Sequence, residues 1–403
     1  MKDIVKGMLR VNYFNAEKLA EDLSVGGTGF FMREYEYYLF ENFDADKEAG
    51  NPDNPRNFLG KQTDALLSEV ANHLSGDCLY SVCCEKYGSK LVHKLLDEGI
   101  LRQEGKKLHF DCPIFLKEDS EVLHKEVSVR AKRMVDLLVQ ILPQLNSCCE
   151  KLNNGFSAQL NLYHILCGMV FDGYLFDYLS SAGALATSRI HNSGLDYLAV
   201  IYEKCNELQS LSNGLLCSYN RLVNEQCSLQ SFGDAQGDRF DFYRLFRLLE
   251  KKNVPERFLN ANILLGHAVG EADKDALLAQ VALLVKIGVC DPSVVKLMEH
   301  FGYMQNGTIC VPIYTREERS IIMEIEHLVE ECIGSAMADT LMDLANDIDI
   351  TAVRHGVNRL EIANELYHIV FGSVNEELVA QKIVSVPQNL PEEGRYFKCI
   401  ELY

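Results

Sequence analysis

One short pattern that could support chemistry occurs twice in the chain: a tyrosine–histidine pair followed, one helical turn later, by a glycine. Its residues are Tyr163, His164, Gly168, Tyr367, His368 and Gly372. Two histidines that meet could bind a metal ion or shuttle protons. Metal sites usually have three or four protein ligands, however. Only Cys167 adds one here, and Phe371 takes its place in the second copy. We therefore favour a core histidine above a glycine that lets another helix approach closely.

Other signs of catalysis are weak. The sequence contains no G-x-S-x-G, H-E-x-x-H, G-x-G-x-x-G or Walker A motif. Four cysteines lie near one another but match no zinc-site spacing: Cys78, Cys83, Cys84 and Cys112. We predict a protein without a metal or cofactor that is not an enzyme. An enzyme with its site near His164 and His368 is the third alternative.

A second group of residues could bind nucleic acid. Residues 85–107 carry six basic and four acidic side chains, whereas the whole chain has a net charge of −19. A helix predicted over 86–98 places Lys86, Lys90 and Lys94 on one face, because residues four apart are neighbours on a helix surface. Other candidate DNA contacts lie beside this row or near a following turn: His93, Arg102, Lys106 and Lys107.

Apolar spacing and turn residues predict the elements around these lysines. An apolar helix follows Asp64, Gly99 ends the helix over 86–98, and a hairpin turn falls at 104–107. Helix, helix and hairpin in this order resemble a winged helix-turn-helix domain over residues 61–116. The resemblance is to a fold rather than to one family. It implies a helix in the major groove of DNA and a hairpin on the phosphates.

The order of elements repeats after about 200 residues. The matched positions are Tyr35 and Phe240, Asp64 and Asp275, Lys94 and Lys296, Pro113 and Pro312, and Leu162 and Leu366. Their order and nearly constant spacing predict two similar halves, packed as a pseudo-dimer about an approximate two-fold axis. The second copy of the basic segment, 291–314, contains one lysine and no arginine. We therefore expect it not to bind DNA in the same way.

The predicted fold is mainly α with small β-hairpins. Each half has an N-terminal segment, a winged-helix-like unit, and a region containing a long helix and a strand. The six segments are 1–60, 61–117, 118–203, 204–270, 271–315 and 316–403. The first long helix should begin near Ser120 and break or end at Pro143. The second should begin with a capping box formed by Thr315 and Glu318.

Composition narrows the cellular setting. The chain has 403 residues and 14 scattered cysteines, with no apolar stretch near the roughly 20 residues that span a bilayer. No secretory signal is apparent at the start. We predict a cytoplasmic protein without membrane contact, in which cysteines serve as small buried apolar residues. Its acidity opposes DNA binding unless basic residues gather on one face.

Two functions follow. The leading hypothesis is a transcription regulator that binds double-stranded DNA through the first winged helix, with the second copy structural. Residues 171–178 would then form a core or an effector pocket. The alternative is a protein–protein interaction scaffold that uses winged helices and never binds nucleic acid. The acidic total and the degenerate second copy, with its single lysine, favour that alternative, and neither hypothesis predicts an oligomeric state.

Overall fold

The computed structural model describes most of the chain from residue 61 onwards and two strands before it. The described residues are 7–11, 35–41, 61–73, 78–186, 189–190, 196–203, 205–212, 214–235, 239–250, 254–270, 273–387 and 395–403. Within them the protein is mainly α-helical with small sheets, which confirms the predicted class. Most of the predicted N-terminal segment 1–60 lies outside the described residues.

The chain divides into two compact units, each assembled from three stretches of sequence. Unit 1 comprises 1–130, 179–212 and 336–370, and unit 2 comprises 131–178, 213–335 and 371–403. Neither unit is continuous in sequence.

Helices carry most of the described chain. They are α1 (Lys61–Asn72), α2 (Tyr80–Tyr87), α3 (Ser89–Asp97), α4 (Ser120–Glu150), α5 (Ala158–Leu162), α6 (Phe176–Ser181), α7 (Asn206–Ser212), α8 (Phe242–Glu250), α9 (Glu256–Val269), α10 (Lys274–Ile287), α11 (Pro292–His300), α12 (Arg316–Asp347), α13 (Thr351–Arg354) and α14 (Arg359–Ala380). A 3-10 turn (Lys117–Asp119) precedes α4, and a π-helix (Tyr163–Leu175) joins α5 to α6.

The strands are short. They are β1 (Gly7–Val11), β2 (Tyr35–Glu41), β3 (Leu101–Glu104), β4 (Lys107–Phe110), β5 (Ile114–Phe115), β6 (Arg189–Ile190), β7 (Asp196–Glu203), β8 (Leu216–Val223), β9 (Cys227–Asp234), β10 (Met304–Gln305), β11 (Thr308–Ile309), β12 (Ile313–Tyr314) and β13 (Tyr396–Leu402). Strands β7 and β13 lie in the two regions, 118–203 and 316–403, for which a strand was predicted after the long helix.

Each unit contains a sheet with the same order of strands. In unit 1 the order is β1-β2-β7-β5, with β6 also paired to β7, and in unit 2 it is β8-β9-β13-β12. In both sheets the first three strands are antiparallel and the last is parallel to its neighbour. The predicted match between Tyr35 and Phe240 is wrong, because β2 contains Tyr35 while the segment after Phe240 forms helix α8.

The predicted helix over 86–98 is wrong in its first turn. Helix α2 ends at Tyr87 and α3 begins at Ser89, because Gly88 between them has φ = +88°, a conformation that other residues rarely adopt. Lys86 therefore belongs to α2, and the three lysines do not share one helix face. Only Lys90 and Lys94 remain on α3.

The predicted hairpin is confirmed. Strands β3 and β4 pair antiparallel, and Glu104 lies opposite Lys107 across the turn. Gly105 takes φ = +62° within this turn, which a glycine adopts without steric cost. Sequence therefore placed the hairpin correctly, including its two-lysine turn.

The long helices show one error and one success. Helix α4 continues through Pro143 to Glu150, although proline was predicted to break or end it. Helix α12 begins at Arg316 behind the predicted capping box. The Glu318 backbone N–H donates to Thr315 Oγ1 at 3.4 Å, and the Thr315 N–H donates to Glu318 Oε2 at 2.9 Å.

One acidic residue holds an equivalent position at the start of each long helix. In unit 1, Asp119 accepts hydrogen bonds from the backbone N–H groups of Leu116 at 2.8 Å and Thr351 at 2.9 Å. In unit 2, Glu318 accepts from the N–H groups of Thr315 at 2.9 Å and Asn153 at 2.9 Å. The two acids thus tie the helix start to a second segment of the same unit.

Apolar residues fill the core of unit 2 between strands β8, β9 and β13 and helices α8 to α11. Phe242, Leu278 and Leu297 are among its fully buried members. In unit 1 the rings of Phe115 and Tyr202 stack at 4.9 Å between centroids. Nine of the 14 cysteines are buried, as predicted for small apolar residues.

Candidate functional site

Helix α3 presents a polar face to solvent. Ser89, Lys90 and His93 are exposed, whereas Val92 and Leu95 are buried. This spacing follows from the helical period, since residues three and four apart share a face. Lys94 is half-buried and lies one turn after Lys90. The exposed face of α3 therefore carries a positive charge at Lys90 and an imidazole ring at His93.

The hairpin turn is fixed to the start of α2. The Tyr80 N–H donates to the Lys106 carbonyl at 2.9 Å, and Leu79 forms an isolated β-bridge with Lys107. Both lysine side chains are exposed. The structure thus attaches the turn lysines to the helical part of unit 1.

Lys86 does not project freely toward a ligand. Its Nζ donates to Glu69 Oε2 at 2.8 Å, and the Tyr87 hydroxyl donates to the same oxygen at 3.0 Å. Although burial raises the pKa of Glu69, the hydrogen bonds from Lys86 and Tyr87 bring that pKa below its ordinary value. The Lys86 charge is therefore neutralised inside unit 1.

Arg102 is also held by the protein. Its guanidinium donates to the carbonyl oxygens of Phe110 at 2.6 Å and His355 at 2.5 Å, and to Glu104 at 2.9 Å. His93 Nε2 lies 2.6 Å from the Tyr80 hydroxyl. The predicted DNA-binding set thus separates into residues that anchor the fold, Lys86 and Arg102, and exposed or half-buried residues on α3 and the hairpin turn.

His164 lies in the core of unit 2. Its Nε2 donates to Gln230 Oε1 at 3.1 Å and lies 3.0 Å from Cys399 Sγ. Burial lowers the pKa of His164 to about 4 and raises the pKa of the Cys399 thiol well above its ordinary value. Both groups are therefore neutral at pH 7. A neutral, buried thiol is a poor nucleophile, because the thiolate is the reactive form.

The residues around His164 explain why glycine follows it. A Cβ on Gly168 would lie 2.8 Å from Cγ of Phe232 in β9. The close neighbour is therefore a strand and not the predicted helix. The preceding Tyr163 donates its hydroxyl to the Arg395 carbonyl at 2.9 Å. His164 and Gly168 thus serve close packing against the sheet of unit 2.

The second copy of the pattern is divided between the units. Tyr367 and His368 belong to unit 1, and Gly372 belongs to unit 2. The His368 Nδ1–H donates to the Asn364 carbonyl at 2.8 Å, which is a bond within helix α14. A Cβ on Gly372 would lie 2.8 Å from Cβ of Leu215. A site shared by both histidines stays a prediction.

A polar cavity in unit 2 was not predicted residue by residue, although 171–178 was named as a candidate pocket segment. The cavity has a volume of about 180 Å³ and lies against Gly173, Tyr174 and Asp177. Glu401 of β13 and Arg319 of α12 also line it. The acidic residue Glu401 near the end of strand β13 was the sequence signal that could have revealed it, because buried carboxylates need partners.

The residues that the structure describes contain no group of three or more His, Cys, Asp or Glu side chains arranged to hold a metal ion. In the same part of the chain no single helix has the length and apolar character of a membrane span. Helices α10 and α11 meet that test only as a pair, bent by 94°. No protein-family model, curated protein or solved structure matches this chain.

Proposed function

We propose that the chain is an internal duplication whose halves each contribute a winged-helix-like unit, residues 61–117 and 271–315. The matching strand order of the two sheets supports this proposal. So do the equivalent roles of Asp119 and Glu318 at the starts of α4 and α12. The α1, α2, α3 and hairpin order in unit 1 supports the winged-helix assignment.

We propose that the protein is a regulator that binds double-stranded DNA through unit 1. One observation carries this proposal: exposed lysines occur at two places on the same helix–hairpin element. They are Lys90 on α3, and Lys106 and Lys107 in the hairpin turn. Helix α3 would enter the major groove. The hairpin turn would contact the phosphate backbone, which positions a protein without reading sequence.

The structure narrows the residues proposed to contact DNA. Lys86 and Arg102 hold partners within unit 1, so their charges serve the fold. The proposed interface takes its cations from Lys90, Lys106 and Lys107, which are exposed, and from Lys94, which is half-buried and has contacts of its own; His93 lies between Lys90 and Lys94 on α3. The second copy is proposed to be structural, because α11 carries Lys296 and Glu299 and thus no net positive charge.

Fluorescence anisotropy with mixed genomic duplex DNA over a salt series tests this function. We expect affinity to fall steeply as salt rises, because bound lysines release counterions from the phosphates. Lys90→Glu/Lys94→Glu should reduce affinity at least about tenfold at low salt. Unchanged affinity in this variant, or no binding by the native protein, rejects the proposal.

A matched control separates local contacts from total charge. Lys132 and Arg133 lie next to each other on α4, and both are exposed. Lys132→Glu/Arg133→Glu changes the net charge by the same amount as the α3 variant. We expect it to retain most of the native affinity. An equal loss of DNA affinity in both variants would show that the affinity depends only on the total charge of the protein.

A protein-interaction function is the second candidate, favoured by an apolar groove in unit 2. The groove has a volume of about 710 Å³ and is lined in part by Ile309, Val311 and Ile313, which are only half-buried. The residues at equivalent places in unit 1 are fully buried: Phe110, Cys112 and Ile114. There the His355 ring lies 5.0 Å from the Phe110 ring.

The difference indicates what the groove would accept. In unit 1 a short turn, α13 and His355, covers the hairpin base. We propose that a peptide turn with an aromatic or histidine side chain would fill the corresponding groove in unit 2. Co-purification of a stoichiometric protein that is lost in Val311→Asp but kept in Ile287→Asp, without DNA retention, supports this function. Ile287 is a suitable control because it is an exposed apolar residue at 64% accessibility.

A further inference from the structure

The cavity of about 180 Å³ in unit 2 is lined by acidic and aromatic side chains. Glu401 of β13 is one of the acids and is only 2% exposed. The other lining residues come from the π-helix, α6, β8, α12 and the C-terminal Tyr403. Its volume resembles that of engineered protein cavities that hold one benzene-sized molecule. The cavity therefore suits a ligand with a single ring.

Glu401 has one satisfied and one unsatisfied oxygen. Its Oε2 accepts from Gln230 Nε2 at 2.5 Å and from the Tyr403 hydroxyl at 3.3 Å. Its Oε1 is buried and has no hydrogen-bond donor among the described residues. The Arg319 Nε forms an ion pair with Oε1 at 3.8 Å, a distance too long for a hydrogen bond. A buried carboxylate oxygen without a donor is rare in proteins and calls for a bound partner.

The charges around Glu401 leave an excess of acid. Three carboxylates line the cavity, those of Asp177, Glu326 and Glu401, against the guanidinium groups of Arg221 and Arg319. Arg319 is shared by two of these acids, with Nη2 2.9 Å from Glu326 Oε1 and Nε 3.8 Å from Glu401 Oε1. Burial raises the pKa of Glu326, in spite of this arginine. An additional positive charge would therefore lower the electrostatic cost of burying these acids.

The aromatic walls also favour a cation. Tyr174, Tyr219 and Tyr403 line the cavity. The Arg221 guanidinium carbon lies 5.7 Å from the centroid of the Tyr219 ring, within the range of a cation–π contact. The same ring systems attract organic ammonium groups, whose charge interacts with the negative face of the ring.

We propose that this cavity binds a small organic cation, a primary amine attached to one ring or a group of similar size. The ammonium group lies against Glu401, where it supplies the missing donor and offsets the acidic excess. The ring occupies the space between the tyrosines. The binding is independent of the proposed DNA contact, because every residue that carries it belongs to unit 2.

Titration calorimetry on the full chain at pH 7 with three probes of nearly equal shape tests the proposal. Benzylamine is cationic, benzyl alcohol is neutral and benzoate is anionic. We expect benzylamine to bind at least about tenfold more tightly than benzyl alcohol, a difference of about 1.4 kcal/mol. Benzoate should bind more weakly than either. Preferred binding of benzoate would assign recognition to the arginines and overturn the proposal.

Two variants locate the binding site. Glu401→Gln keeps the shape of the side chain and removes its charge, so benzylamine should bind at least about tenfold more weakly. Gly173→Ala adds a methyl group 3.7 Å from the Tyr219 ring, an ordinary contact distance, and reduces the space for the probe. It should weaken binding severalfold while leaving the charge of the cavity intact.

A third variant controls for charge outside the cavity. Glu331 of α12 is exposed, and Glu331→Gln should leave benzylamine affinity unchanged. If a urea titration shows that Glu401→Gln does not fold, the benzylamine affinity of Gly173→Ala alone tests whether the cavity is the binding site. The proposal is overturned if benzylamine does not bind at about 10 mM, or if its affinity is the same in the native protein and in both cavity variants. Loss of DNA binding would not alter either outcome.

Discussion

The Lys86 ammonium and the Glu69 carboxylate meet at 2.8 Å in unit 1. Glu69 is 8% exposed and Lys86 is 34% exposed at the side chain, so the pair is partly shielded from water. The sequence spacing predicts that Lys86 shares a helix face with Lys90 and Lys94. In the structure, however, the Lys86 ammonium is paired with the buried Glu69 carboxylate. This contact gives Lys86 a structural role in unit 1.

Lys86→Ala should therefore reduce stability rather than DNA affinity. Removal of the ammonium leaves Glu69 buried with Tyr87 and His73 as its partners among the described residues, and we expect the free energy of unfolding to fall by about 1–2 kcal/mol. Urea titrations would measure this loss. Lys90→Ala is the control, since Lys90 is exposed and should change stability by less than about 0.5 kcal/mol. Equal stability losses would contradict the assignment.

Two glycines of the π-helix should respond differently to the same substitution. A methyl group at Gly168 would meet Phe232 at 2.8 Å, whereas one at Gly173 would have an ordinary contact of 3.7 Å. We expect Gly168→Ala to lower the free energy of unfolding by about 1–3 kcal/mol. Gly173→Ala should be close to neutral or slightly stabilising, because alanine reduces the freedom of the unfolded chain. Thermal or urea unfolding of both variants would show the contrast.

Acidification should destabilise the protein through His164. Burial lowers its folded-state pKa to about 4 from the ordinary 6.5. The unfolded chain therefore binds the proton more readily, so stability is full above pH 6.5 and is lost as pH falls toward 4. The contribution is at most about 3 kcal/mol for this shift. His355, with its pKa also lowered by burial to about 4, adds a loss of the same sign.

Comparison with a variant isolates the His164 contribution. Asp119 acts in the opposite direction, because burial raises its pKa to about 6 and its contribution is gained as pH falls. Urea titrations of the native protein and His164→Gln at pH 7.5 and pH 5 give the difference in pH dependence between the two proteins. The contributions of His355 and Asp119, which both proteins contain, cancel in that difference. We expect a smaller pH dependence in His164→Gln. An identical pH dependence would show that His164 is not buried as a neutral ring.

Arg395→Lys should cost more than a typical arginine-to-lysine change. The Arg395 guanidinium donates to Asp234 at 2.6 Å and to Glu376 at 2.5 Å, and also to the Gly214 carbonyl at 2.9 Å. A lysine ammonium cannot reproduce this planar set of donors. We expect a loss of about 2–3 kcal/mol in the free energy of unfolding.

An exposed arginine provides the matched comparison. Arg354 pairs with Asp349 at 2.8 Å, but Asp349 is 77% exposed at its side chain. Arg354→Lys should therefore change the free energy of unfolding by less than about 1 kcal/mol. Both variants can be measured in the same urea series. Similar effects would indicate that the Arg395 contacts contribute little beyond those of a surface pair.

Local sequence patterns predicted the elements whose conformation depends on neighbouring residues. Gly105 marked the hairpin turn, and Thr315 with Glu318 marked the start of α12. Such signals act over three or four residues and do not depend on the rest of the chain. The mainly α class followed from the same local periodicity.

Other features depended on distant contacts or on ambiguous residues. From the sequence alone, Gly88 could lie within a helix or end one. In the structure its positive φ separates α2 from α3. Pro143 stays within α4, where it is exposed. Strand β9 contains polar residues such as Ser228 and Gln230 that are fully buried through partners elsewhere in unit 2. No pattern near Lys86 revealed that Glu69 would bind it.

The three-part composition of each unit determines when each can form during synthesis. Unit 1 includes 336–370, and Arg102 binds the His355 carbonyl across 253 positions of sequence. The helices and hairpin at 61–115 therefore leave the ribosome long before their partner segment exists. Because translation proceeds at roughly 5–20 residues per second, the nascent hairpin base waits on the order of ten seconds or more with Phe110 uncovered. A chaperone that shields apolar surface would find its substrate in that interval.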